Sequence, residues 1–234
     1  MSRSNTPDAF PVALEAGQSV TALHYAAQGP ASGAAVIVAH GAGAGQHHPF
    51  MTSFAGGLAS FGFDAVTFNF LYTEQHRRLP DRAPALEACY ASVIHEVRRR
   101  LPSAERWLFI GGKSMGGRLA SQLAASEPSL PIAGLVLLGY PLHPPGKPDK
   151  RRDKHLPSVR RPMLVIQGSR DGFGTPEELR PVFEPLDPPA TLHVIDGGDH
   201  SFKVARAGIE GQAAAYADVR RTCASWMEGV MRRC

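Results

Sequence analysis

Three residues of this chain, Ser114, Asp171 and His200, have the types and the order from which an activated serine can be assembled. Ser114 is the centre of G-K-S-M-G, and the apolar run W-L-F-I precedes it, so a strand, a sharp turn and a following helix can be read in that order. A serine hydroxyl is a weak nucleophile at neutral pH and needs a base, and the base needs a carboxylate to fix its tautomer. The run M-L-V-I-Q is followed by G-S-R-D-G-F-G, which puts Asp171 just past a strand end, and L-H-V-I-D is followed by G-G-D-H-S-F, which puts His200 past the next one. A turn of this kind predicts an acid and a histidine downstream in that order, and both stand past strand ends. Asp171 could instead be a turn former before Gly172, and His200 a surface loop histidine. Asp196 and Asp199 are rival acids whose closeness to His200 suits turn and loop bracing.

Competing chemistries fail at particular positions. A phosphate-binding G-x-x-x-x-G-K-[ST] loop would share Gly112-Lys113-Ser114, but its first glycine falls on Trp107. The loop H-G-A-G-A-G, His40 to Gly45, could supply a backbone donor for a developing oxyanion: the Ala42 amide, with Gly43 as substitute, alongside the Met115 amide. Read as a dinucleotide fingerprint, the same loop lacks its third glycine, replaced by Gln46, and the acid after the next strand, replaced by Asn69 and Phe70. His40, His47 and His48 bring no carboxylate partner, so no metal and no cofactor is expected.

These residues need a scaffold that gathers strand ends. Apolar or β-branched runs at Val20 to Tyr25, Ala34 to Ala39, Asp64 to Phe70, Trp107 to Gly111, Leu135 to Gly139, Met163 to Gln167 and Leu192 to Asp196 read as strands. Several are apolar throughout, as in parallel strands buried on both faces. Helical stretches fall between them: Pro49 to Ser60, a helix opened by Pro84 and ended by Pro102, Met115 to Ala125, Pro176 to Phe183 and Gln212 to Met231. The alternation predicts a single-domain α/β fold over 1–234, with a mostly parallel sheet flanked by helices and residues 1–18 irregular or an edge strand.

With 234 residues, 43% apolar and 20% charged, the composition is that of an ordinary globular domain. No signal-peptide core and no run of about 18 apolar residues is present, so a cytoplasmic protein without a membrane segment is expected. Cys89, Cys223 and Cys234 fit reduced thiols. The formal charge of +4 is concentrated in Gly146 to Pro162, which holds seven Lys or Arg against two Asp. That segment has no aromatic residues to stack bases, which argues against nucleic acid.

H-G-A-G-A-G, G-K-S-M-G-G-R, G-Y-P-L-H-P-P-G-K-P, Q-G-S-R-D-G-F-G and G-G-D-H-S-F together resemble the α/β-hydrolase superfamily, and within it the small dienelactone-hydrolase-like members. The branch they look most like is shared by uncharacterised bacterial hydrolases and by testis-expressed and chromatin-complex relatives. The resemblance implies a Ser114, Asp171, His200 triad, a minimal cap, no cofactor and a small-molecule ester substrate. Dienelactone hydrolases proper carry cysteine at the elbow, so serine here departs from that substrate. The chromatin-complex relatives bring a second reading, a binding or scaffold protein on the same fold, and a thioesterase or peptidase would use the same triad. Only about twenty residues, Pro141 to Pro162, stand where a cap could insert, which predicts a shallow or open pocket for small or short-chain acyl groups. Phe50, Phe70, Tyr72 and Tyr140, with Gly43, are the expected pocket residues, although core packing explains the aromatics at least as well. Arg151 and Arg152 are expected to border the pocket and favour an anionic ester. Oligomeric state is not legible.

Overall fold

The pentapeptide A-V-I-V-A, Ala35–Ala39, is buried at every position, and it forms a central strand, β3, whose two faces serve two separate cores. Ala35, Ile37 and Ala39 face one cluster, and Val36 and Val38 face the other. In the computed structural model, which describes residues 6–233, eight strands form one sheet. They are β1 (Asp8–Ala13), β2 (Ser19–Tyr25), β3, β4 (Asp64–Phe68), β5 (Leu108–Lys113), β6 (Gly134–Leu138), β7 (Met163–Gly168) and β8 (Thr191–Ile195). The order is β1-β2-β4-β3-β5-β6-β7-β8. The β1–β2 and β2–β4 pairs are antiparallel and all the others parallel, so the carboxyl ends of β3, β5, β7 and β8 lie along one edge.

Helices α1 (Pro49–Ser60), α2 (Leu71–Glu74), α3 (Ala83–Arg100), α4 (Ser103–Arg106), α5 (Met115–Ser126), α6 (Pro176–Phe183) and α7 (Gly208–Arg233) complete the fold. The apolar sides of α3, α5 and α6 belong to one core, and those of α1 and α7 to the other. In α3 the spacing of Leu86, Cys89, Tyr90, Val93, Ile94 and Val97 makes the buried stripe, and the helix ends at Arg100, ahead of Pro102. Among the described residues no helix is long and apolar enough to cross a membrane.

Several boundaries differ from the sequence expectation. The amino-terminal segment supplies an edge strand, β1, in which only Phe10 and Val12 turn inward; Pro11 is tolerated because an edge leaves one side of the ladder unpaired. Its first five residues, like Cys234, lie outside the described residues. Strand β4 stops at Phe68, because Asn69 turns to accept the Gln46 amide through Oδ1 at 2.9 Å. Strand β5 runs on to Lys113, directly against the serine, and α7 starts at Gly208 instead of Gln212.

One buried hydroxyl supports β5 from below. The Tyr90 phenol on α3 accepts the Gly111 amide at 3.0 Å and donates to the Gly111 carbonyl at 2.6 Å. Gly111 has no room for a side chain: a Cβ there would lie 1.9 Å from the Val136 carbonyl oxygen. Tyr90→Phe keeps the ring in its apolar site and removes the hydroxyl's bonds to the Gly111 amide and carbonyl. An expected loss of about 1–3 kcal/mol in urea unfolding follows from losing buried hydrogen bonds of this kind. An unchanged midpoint would show that the hydroxyl has no such role.

Candidate active site

The turn that ends β5 carries Ser114 at φ 52° and ψ −113°, a left-handed conformation that is strained for a residue with a side chain. The strain is maintained by crowding on both sides. A Cβ on Gly112 or on Gly116 would come within 2.4 Å of the Ala39 carbonyl oxygen, so only glycines let α5 leave the strand this tightly. Ser114 consequently stands above the carboxyl ends of the strands, with α5 starting at the next residue.

His200 and Asp171 reach it from two loops. The loop after β7 turns back so that the fully buried Asp171 accepts the Phe173 amide at Oδ1 and the Gln167 side-chain amide at Oδ2, both at 2.8 Å. Gln167 also donates to the Gly174 carbonyl at 2.8 Å and accepts the Tyr140 amide at 2.8 Å, which ties the acid loop to the β6 loop. The loop after β8 is braced by Asp199, whose Oδ1 accepts the Ser201 and Lys203 amides at 2.7 and 2.9 Å. Asp196 accepts the Ser169 hydroxyl at 3.4 Å. His200 lies between the two other groups. Its Nδ1 is 2.7 Å from Asp171 Oδ2 and its Nε2 is 2.8 Å from Ser114 Oγ. Because an ionised carboxylate only accepts, Nδ1 carries the proton and Nε2 is free to accept from the serine hydroxyl. Phe173 stacks on the imidazole, centroids 4.2 Å apart, and limits its rotation.

The glycine-rich loop after β3 passes beside the serine: a Cβ on Gly41 would be 3.6 Å from the Ser114 Cβ. Among the described residues the Ala42, Gly43 and Met115 amides have no hydrogen-bond acceptor, which leaves them available to an incoming oxygen. His40 braces this loop. It is buried, its Nδ1 donates to the Gly41 carbonyl at 2.8 Å, and its Nε2 accepts the Phe70 amide at 3.3 Å. Burial pushes the pKa of its imidazole down, which suits these neutral-ring contacts. His48 is the N-cap of α1, where its Nδ1 accepts the Phe50 amide at 3.2 Å.

A cavity of about 1050 Å³ opens over Ser114 and His200. Gly43 and Phe50 line it as expected of pocket residues, together with Phe54, Met115, Phe173 and Tyr216. Phe70, Tyr72 and Tyr140 do not line it, which corrects the sequence expectation. Each is buried with a task elsewhere: Phe70 packs edge-on against His40, Tyr72 donates to the Ala42 carbonyl at 3.0 Å, and Tyr140 donates to the Arg152 carbonyl at 2.6 Å. Of the two basic-segment residues expected at the pocket, Arg152 lines it, while Arg151 is exposed and paired with Asp153. The cavity walls come from α1, the loop before α3 and α7. Gln167 and Phe173 are site residues that sequence reading missed, and Tyr72 has a different task from the one expected of it; the only signal for the first two was their position beside the motifs.

A nucleophile, an imidazole and a buried carboxylate linked in this way can transfer a proton as an acyl group is taken up. A family described as an alpha/beta hydrolase domain matches residues 32–228. Among solved structures, an alpha-beta serine hydrolase homologue from Coxiella burnetii superposes with a TM-score of 0.73 at 17% identity, over 94% of this chain and 99% of that one. A serine hydrolase without a lid from Xanthomonas campestris gives 0.70 at 22% identity, over 95% and 97%. The dienelactone hydrolase of Anabaena variabilis gives 0.72 at 20% identity, over 94% and 97%. With the family matched across most of its length, this chain belongs to the alpha/beta hydrolases.

Proposed function

We propose that the protein is a serine hydrolase that cleaves carboxylic esters of small molecules through an acyl-enzyme. The observation that carries this reading is the unbroken path from Ser114 to His200 to Asp171, at 2.8 and 2.7 Å, with the acid fully buried. Ser114 Oγ attacks the carbonyl carbon while its proton passes to His200 Nε2. The carbonyl oxygen becomes an oxyanion that the Ala42 and Met115 amides receive. As the carbonyl re-forms, the bond to the alkoxy oxygen breaks and His200 protonates the departing alcohol. Water then attacks the acyl carbon, His200 takes its proton, and Ser114 leaves with that proton restored. Asp171 keeps Nδ1 protonated and stabilises the imidazolium at each transfer.

The cavity volume supports acyl or alkoxy groups beyond acetate and butyrate, and its cationic wall supports an acid-bearing ester. A cytoplasmic setting agrees with Cys89 and Cys223, which are both buried as free thiols. A fluorophosphonate probe, followed by peptide mapping, tests the nucleophile, and p-nitrophenyl esters from acetate to octanoate test turnover. Labelling at Ser114 with turnover that persists past butyrate is expected. An unlabelled protein that hydrolyses none of the series would reject the reading.

A further inference from the structure

The cavity over Ser114 carries more positive charge than cleavage of a neutral ester needs. Lys113, Arg118, Arg152, Lys203 and Arg220 line it, against a single carboxylate, Asp81, which already receives the Arg77 guanidinium at 2.7 Å. Among the described residues none of those five cations forms an ion pair.

Arg118 and Arg152 are neighbours within this set. Burial, and then the Arg152 charge, push the Arg118 guanidinium below its ordinary pKa. Arg118 Nε is enclosed and has no acceptor, an expensive state for a group that can only donate. Both backbones are anchored. Arg118 lies one turn past the serine on α5, where its amide donates to the Ser114 carbonyl at 3.1 Å. Arg152 donates its amide to the Leu142 carbonyl at 2.8 Å and accepts the buried Tyr140 hydroxyl at its carbonyl. His155, bonded to the Ser121 hydroxyl at 2.8 Å, adds no charge, because burial and the Arg118 charge push its pKa down to about 4. Glu87 is the one carboxylate whose field favours the Arg118 cation, and it makes no ion pair with it. Neither guanidinium is ion-paired among the described residues, so a carboxylate on the ligand would supply a missing counter-charge. The planar guanidinium fork matches carboxylate geometry, and two such forks on fixed backbones lose little freedom on binding.

We infer that Arg118 and Arg152 form a binding site for a carboxylate carried by the ester, so that the preferred substrates are monoesters of dicarboxylic acids and similar acid-bearing esters. This deepens the serine hydrolase reading and rests on it for context, while the site itself can be tested without turnover.

Calorimetric titration with adipate and, separately, with inorganic phosphate gives the direct test. Wild type should bind adipate more tightly than phosphate. Arg118→Met and Arg152→Met should each weaken adipate by at least about tenfold, with partial recovery in Arg118→Lys. Kinetics supply a second readout. The ratio of kcat/KM for p-nitrophenyl hydrogen adipate to that for p-nitrophenyl hexanoate should fall at least about tenfold in Arg152→Met, mainly through KM. Arg152 is partly exposed, so its variant keeps the test alive should Arg118→Met not fold. No adipate binding to wild type, equal binding to the Met variants, stronger binding of phosphate, or an unchanged kinetic ratio would each overturn the site. Adipate binding that depends on both arginines in a protein that hydrolyses no ester would support the site and refute the catalytic reading instead.

Discussion

Asp171→Asn is expected to lower kcat by about 10⁴-fold with little change in KM, as the same exchange does in a serine protease with an equivalent triad. The local hydrogen bonds say why the amide would be read in its harmful orientation. The Phe173 amide donates to Oδ1 at 2.8 Å, and with the oxygen kept there for that backbone donor the new NH₂ group takes the place of Oδ2. There it faces His200 Nδ1, 2.7 Å away in the wild type, and donates where it previously accepted. The imidazole then carries its proton on Nε2 and cannot take the one on Ser114 Oγ. The Gln167 amide, which donates to the same Oδ2 at 2.8 Å, loses its acceptor as well. Steady-state kinetics on a p-nitrophenyl ester, compared with Ser114→Ala, would measure the effect. Because the three groups act as a unit, the double variant should be no slower than Ser114→Ala alone. A loss below about tenfold would mean that Asp171 does not set the tautomer.

The candidates Ser114, Asp171 and His200 could be read from the sequence because each lies in the turn or loop that follows a strand, and in an open parallel sheet the strand ends converge whatever the helices do. The wall of the cavity was not. Phe70, Tyr72 and Tyr140 have the right size and chain position for wall residues, but a phenol can turn inward to any free carbonyl, and only the packed structure shows that Ala42 and Arg152 supply them. Arg151 and Arg152 are adjacent and identical in type, yet one pairs with Asp153 at the surface and the other enters the cavity. Local periodicity carries no information on that choice in an irregular segment. The part of the wall built from α1 and α7 was out of reach for a related reason. A missing cap is visible as a short connection, whereas walls built from α1 and α7 depend on how distant elements stand over the sheet.

Lys113, the residue immediately before the nucleophile, is expected to make stability depend on pH in a way that a surface lysine would not. Its ammonium is enclosed, lacks a hydrogen-bond partner and lies 5.4 Å from the centre of the Phe202 ring. Burial lowers its pKa from 10.5 to about 8, although the charges of Asp171 and Asp199 pull the other way. Between those two values the unfolded chain binds the proton and the folded protein does not, so this group's contribution to stability rises with pH across the window. Below about pH 8 both states are protonated and the folded protein carries the full penalty, about 3 kcal/mol from the size of the shift. Above pH 10.5 both states are neutral and the penalty is gone. Lys113→Met removes the titrating group and keeps an unbranched apolar stem of similar reach. Tyrosines and cysteines also titrate in this range, so the informative quantity is the difference between the two proteins, which share all of them. Urea unfolding from pH 7 to 11 should find the variant gaining most, relative to wild type, at the acidic end, with the gap narrowing by about 3 kcal/mol as pH rises. A gap independent of pH would mean that the ammonium is solvated or paired in solution. In that case the residue before the nucleophile would be an ordinary packing residue.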